Sequence, residues 1–194
     1  ASFLDQIREN AETASFSGSV SGNRVEVLKD LCGVLGITPE QDSLFGVSQA
    51  IKDFAVRKSG EGRSVVVLVD EAQDLGLEEL EHFHHLCNLE TPEAKLVQIV
   101  LAGTDKLGER LKDKSLEALW QRVAIRCEIK PIEPEETIQY ISHRTRVAGS
   151  SSSALFSDDA LRRIVNFARG VPRLINLVCN QAMISAYSSG SLPV

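Results

Sequence analysis

The sequence contains no Gly-x-x-x-x-Gly-Lys-[Ser/Thr] run, so nothing in it reads as a glycine-rich cradle for nucleotide phosphates. No apolar stretch approaches the roughly 18–20 residues that a membrane helix needs. The first residues, ASFLDQIREN, are amphipathic and lack the apolar segment of a signal peptide. The chain starts without methionine, as a processed or trimmed piece does, and it carries no internal repeats. There is no Cys-x-x-Cys pair: Cys32, Cys87, Cys127 and Cys179 lie far apart, each in an apolar stretch. That spacing argues against disulfides or a zinc site and for reduced core thiols in a cytosolic domain. Nor is there a basic excess. The formal net charge is −6, whereas a groove that neutralises nucleic-acid phosphates shows as surplus lysine and arginine. Nucleic acid is therefore not the expected main partner, although Arg162, Arg163, Arg169 and Arg173 form a local basic cluster.

What the chain does contain is a series of runs suited to burial. Val65–Val69 is apolar at every position, and a strand apolar on both faces belongs in a parallel sheet sandwiched by helices. Leu96–Gly103 is a second such run, Ala124–Ile132 a third and less pure one, and Glu12–Val20 reads as a short strand. Between them apolar residues fall at helical spacing. Val25, Leu28, Leu31, Cys32 and Leu35 precede a stop at Gly36; Leu44, Val47, Ile51 and Phe54 follow a Ser43 cap. Strands alternating with helices predict an α/β architecture. After Pro131 the strands cease. Helices are expected over Glu135–Val147, Ser157–Arg169 and Pro172–Tyr187, with Ser157 as N-cap, Gly170 as a stop and Gly149–Ser153 as a flexible joint. The expected organisation is an α/β core over 1–132 and a small all-helical piece over 133–194.

The chemistry concentrates where the first apolar run ends, in SVVVLVDEAQDL. In open parallel sheets ligands bind beyond the carboxyl ends of the strands, and Asp70 and Glu71 stand at such an end. An Asp there can hold a magnesium ion through waters, because Mg²⁺ keeps much of its hydration shell. A Glu one residue on can orient or deprotonate an attacking water. The plainer reading is two exposed carboxylates that start a loop. If the second run is the neighbouring strand, LAGTDKL sets Thr104 beside them, able to contact a γ-phosphate or to cap the next helix. Arg122 precedes the third run, placed to reach a neighbouring subunit's site or to make a surface salt bridge. An arginine that stabilises a transferring phosphate is worth several powers of ten in rate. Arg173 opens the last helix, as a cation on a mobile lid or an ordinary first-turn charge. The EHFHH stretch sets His82 and His85 on one helical face with Glu78 and Glu81, a spacing a transition metal can use. Leu80, Phe83 and Cys87 face the other way, which favours a solvated face instead.

In that order these residues resemble an AAA+ ATPase, with a Walker B segment at Val65–Glu71, sensor 1 at Thr104, an arginine finger at Arg122 and sensor 2 at Arg173. The segments VVLVDEAQDL, LCNLETPEAKLVQIVLAG, IEPEETIQYISHRTRVAG, LFSDDALRRI and GVPRLINLVCNQAM are similar to AAA domains of the general secretion pathway protein A family. The likeness covers nearly the whole chain. That family usually shows Gly-Gln-Pro-Glu-Leu after the sensor strand, where this chain has GTDKL. The resemblance implies a P-loop NTPase-like parallel sheet between helices, followed by a helical lid. It implies an ATP hydrolase with ATP and Mg²⁺ as cofactors, Asp70 serving the metal and Arg173 the nucleotide. It further implies a homo-oligomer whose cycle assembles or remodels a cell-envelope secretion machine. The implied setting is a cytoplasmic domain of an inner-membrane-associated protein. Its implied partners are secretion-machinery proteins and, through other regions, envelope components.

The same resemblance implies a first strand and a P-loop ahead of Ala1, the strand lying between those expected at Leu96–Ala102 and Ala124–Lys130. Without it, two facing edges leave backbone groups unpaired, at about 1–3 kcal/mol for each buried one. A whole domain is held together by roughly 5–15 kcal/mol. The expected remedies are a longer native polypeptide, strand exchange between two copies, or a closed-up sheet. The 194 residues alone are then expected to hydrolyse ATP poorly. Two other readings stay open. One is a non-catalytic module for oligomer or partner contacts; the other is a DNA-linked ATPase of the transposition-regulator or DExx-box helicase type.

Overall fold

β-Branched side chains are stiff at χ1 and suit pleated backbone, and Val65, Val66, Val67 and Val69 lie within β2 (Ser64–Asp70). In the computed structural model, which describes residues 3–18, 24–92, 94–150, 155–191 and 193–194, β2 is the middle strand of a sheet. β1 (Ala11–Ser17) and β3 (Val97–Leu101) flank it in the order β1-β2-β3, both parallel to it. The register puts Ala14 and Ile99 either side of Val67, and Phe16 and Leu101 either side of Val69. Strand side chains alternate between faces, so these residues share one face, and Val65, Val67 and Val69 are each 0% exposed there. The other face is more open towards β3, where Gln98 and Val100 are exposed.

Helices cover the apolar face. α1 (Phe3–Ile7) precedes β1, and α2 (Arg24–Leu35) and α3 (Leu44–Gly60) lie between β1 and β2. α4 (Leu77–Cys87) follows β2; α5 (Asp105–Arg110) and α6 (Glu117–Arg122) follow β3. Leu28 and Leu31 of α2, Ile51 of α3, and Leu80 and Phe83 of α4 share one core with the β2 valines. Phe83 also stacks on Phe16, ring centroids 6.0 Å apart. α3 starts at Ser43, whose hydroxyl accepts from Gly46 N–H at 3.1 Å. At the amino end of the sheet Arg63 and Lys58 both pair with Glu12, at 3.1 and 3.5 Å. Both ends of the α3–β2 connection are thus tied to the start of β1.

The chain divides into two compact units, Ala1–Arg126 and Cys127–Val194. The second holds α7 (Pro134–Val147), α8 (Asp158–Ala168) and α9 (Pro172–Ser189) around Ile141, Phe156, Ile164, Ala168, Ile175 and Cys179. Ser157 caps α8, its Oγ accepting from Ala160 N–H at 3.2 Å. α8 ends at Ala168 with Arg169 as its C-cap; Gly170 follows with φ +74°, and a Cβ there would lie 2.1 Å from Ile132 O. Glycine is required twice over, by conformation and by the close approach.

Three expectations need correction. Ala124–Ile132 forms no strand: Ile125 is 86% and Ile129 94% exposed, and among the described residues no ladder pairs with the segment. A strand exists only where a neighbour takes its N–H and C=O groups, and apolar composition does not supply one. Cys127, in that segment, is exposed rather than a core thiol, whereas Cys32 and Cys179 are buried. The run at Leu96–Gly103 is a strand, but a half-open one. The end of the expected first strand, at Ser19 and Val20, and most of the Gly149–Ser153 joint lie outside the described residues.

Candidate functional site

β2 ends at Asp70 and the chain turns on Glu71, which has φ 51° and ψ 37°. Among the described residues only Glu71 and Arg169 are non-glycine at positive φ. An L-residue in that left-handed region costs about 1–2 kcal/mol, so its surroundings must hold it. Gly18 N–H donates to Asp70 O at 2.7 Å, Ala72 N–H to Ala102 O at 2.8 Å, and Asp74 N–H to Glu71 O at 3.0 Å. Glu71 N–H itself donates to Asp70 Oδ1 at 2.9 Å. A Cβ on Gly18 would stand 2.8 Å from Glu71 O, so only glycine lets the end of β1 come this close. Strain kept at a strand tip, and over-determined by its neighbours, marks a candidate functional position.

The neighbouring strand brings Thr104 to the same end. Ala102 N–H donates to Val69 O at 2.8 Å, and Thr104 then becomes the N-cap residue of α5 without a side-chain capping bond. Its N–H donates to Gln73 Oε1 at 3.0 Å, while Gln73 Nε2 donates to Glu71 Oε2 at 2.6 Å. The Arg110 guanidinium donates to Gln73 O. The β2 and β3 tips are therefore joined through one glutamine. Sequence reasoning missed Gln73, which follows the acidic pair in a stretch that reads as plain loop. The available signal was an amide, both donor and acceptor, two residues beyond a carboxylate.

Asp70 and Glu71 are exposed, and each uses one carboxylate oxygen in these bonds, in which Asp70 Oδ2 and Glu71 Oε1 take no part. Exposed oxygen donors suit Mg²⁺, which is commonly held through water by one or two carboxylates. The donor set fits that ion. Among the described residues no group of three or more His, Cys, Asp or Glu is arranged to hold a metal directly. His82 Nε2 lies 3.1 Å from Ser48 Oγ, linking α4 to α3.

Arg122 takes no part in this hydrogen-bonded cluster, and Arg173 belongs to the other compact unit. Arg122 closes α6, where its Nε donates to Asn88 Oδ1 at 2.9 Å and its Nη2 bonds the same oxygen. His84 beside them is held below its usual pKa by burial first and by the charges of His85 and Arg122 next. Arg173 is exposed in the first turn of α9, in the helical unit. A groove of about 450 Å³ opens between residues 36–41 and α3, and none of the expected site residues lines it.

A family model described as AAA domain matches residues 1–111. General secretion pathway protein A of Aeromonas hydrophila is 35% identical over 167 residues, which cover 86% of this chain and 30% of that protein. Cdc6p from Pyrobaculum aerophilum superposes with a TM-score of 0.67 at 15% identity, over 96% of this chain and 51% of that one. The Aeropyrum pernix ORC2 protein, in an ADP form, gives 0.66 at 12% identity, over 97% and 51%. These two show a shared fold. The chain thus spans less than a third of the secretion relative and about half of each solved chain. With the family match running through β1, β2 and β3, and with the paired carboxylates at the tip of β2, this chain belongs to the AAA domain family of ATPases.

Proposed function

We infer that this domain forms the metal-holding, water-activating and sensing edge of an ATP-hydrolysing site. In the whole protein the ATP cycle drives assembly or remodelling of a cell-envelope secretion machine. The strained Glu71 at the tip of β2, tied through Gln73 to Thr104, carries the first part. The likeness to general secretion pathway protein A supports the second, and the ADP form of the similarly folded ORC2 protein supports a nucleotide ligand.

When bound, Mg²⁺–ATP supplies a polarised phosphoryl group and its leaving group. The chain's own residues do the rest. Asp70 would hold the metal through a water accepted at Oδ2. Glu71 Oε1 takes the proton of the attacking water while Oε2 stays bonded to Gln73. The Thr104 hydroxyl, which makes no capping bond, would donate to the γ-phosphate of a bound nucleotide. Arg122 would serve the site of an adjacent copy in a homo-oligomer, and Arg173 would serve the nucleotide. The likeness to general secretion pathway protein A supports a domain that works on the cytoplasmic side of the inner membrane.

The test is Glu71→Gln in the full-length protein. Hydrolysis should fall by about 10²–10⁴-fold, the usual contribution of a general base, with nucleotide affinity kept within about threefold. Cells carrying only this variant should fail to assemble the secretion machine. Unchanged turnover contradicts the catalytic part; intact assembly despite lost turnover contradicts the coupling.

A further inference from the structure

We propose that Gln73 is a positioning residue that mechanically couples the Glu71 carboxylate to the β3–α5 loop. The inference rests on the site reading above. A primary amide serves both arms at once: Nε2 donates to Glu71 Oε2 at 2.6 Å and Oε1 accepts from Thr104 N–H at 3.0 Å. A carboxylate at 73 accepts only, and an ammonium donates only. The Glu71 arm is charge-assisted, the stronger kind of hydrogen bond. The backbone beneath the amide is fixed as well. The Arg110 guanidinium holds Gln73 O, and Ala72 N–H holds Ala102 O at 2.8 Å.

The loop side is shaped for the amide. A Cβ on Gly103 would stand 2.5 Å from Gln73 Oε1, so any larger residue before Thr104 pushes the amide out of its place. Gln73 thereby holds one Glu71 oxygen and turns the other towards solvent. A shift of the Thr104 loop, such as contact with a phosphate at its hydroxyl produces, is carried through Oε1 and Nε2 to the carboxylate that activates water. Placement errors of about 1 Å at a catalytic group cost on the order of a hundredfold in rate, so a link this short is enough to matter.

The test uses two readouts. In the full-length protein, amide hydrogen exchange at Thr104 should quicken about tenfold in Gln73→Ala and Gln73→Lys. It should stay slow in Gln73→Glu, which keeps an acceptor. Exchange at Val67 and Ile99 is the folding control and should not change. In the full-length protein all three variants, and Gly103→Ala, should lower kcat for ATP by about tenfold or more, with KM within about threefold. Unchanged Thr104 exchange in Gln73→Ala overturns the bridge, as does full kcat in Gln73→Glu. If Glu71→Gln abolishes turnover while Gln73→Ala keeps it, the coupling is wrong and the site stands. If Glu71→Gln keeps turnover, the site reading itself is what fails.

Discussion

Val67 and Ile129 are similar in chemistry and opposite in setting. Val67 sits between Ala14 and Ile99 in a three-stranded ladder and is 0% exposed. Ile129 lies in a segment that no strand joins among the described residues, and is 94% exposed. The difference comes from the neighbours. β2 has a strand on each side and helices α2, α3 and α4 over one face; the 124–130 segment has neither. The proposed site follows the same division. The strained, hydrogen-bonded tip lies on the laddered strand, where rigid neighbours can hold a carboxylate in an unfavourable conformation.

The sharpest way to break this contrast is a matched pair of substitutions. Val67→Asp buries an unpaired carboxylate and should cost more than about 4 kcal/mol, enough to unfold many domains. Ile129→Asp should change stability by less than about 0.5 kcal/mol. Urea denaturation of the two variants measures both, and equal losses would show that the 124–130 segment is packed after all.

A smaller effect sharpens the account of the tip. Gly18→Ala puts a methyl against Glu71 O, closest approach 2.8 Å, and should cost about 1–3 kcal/mol as other overpacked sites do. Glu71→Gly should offset part of that loss by removing the left-handed strain. Additive behaviour of the pair in a double-mutant cycle would mean that Gly18 does not act through Glu71.

These residues also show what was legible beforehand. Helix starts at Ser43 and Ser157 could be read because a cap is local: the hydroxyl and the N–H it satisfies lie three residues apart. β2 could be read because four valines leave little choice. The nearness of Thr104 to Glu71 was legible as a consequence of strand adjacency. Ala124–Ile132 was misread because pairing is non-local, and no feature of Ile125 or Ile129 tells whether a partner strand is present. The bridge made by Gln73 was missed for a related reason. Its role depends on Thr104, thirty-one positions away along the chain.

The smallest expected effect is on alkaline stability. Burial pushes the Cys32 thiol up to about 11 from an ordinary 9.0 and raises Cys87 and Cys179 as well. Between those values the unfolded chain has lost protons that the folded chain keeps, so folding stability falls as pH rises from about 9 to about 11. The urea midpoint should drop across that range, and Cys32→Ala should flatten the drop. A midpoint that rises with pH there has the wrong sign for buried thiols.

The central claim is that the β2 and β3 tips form one nucleotide-responsive unit. It is tested most directly by hydrogen exchange of the full-length protein with and without Mg²⁺–ATP. Slowed exchange at 70–73 and at 102–105 together, lost in Gln73→Ala at the second stretch, is the predicted result. Protection confined to one tip, or absent from both while nucleotide is bound, contradicts it.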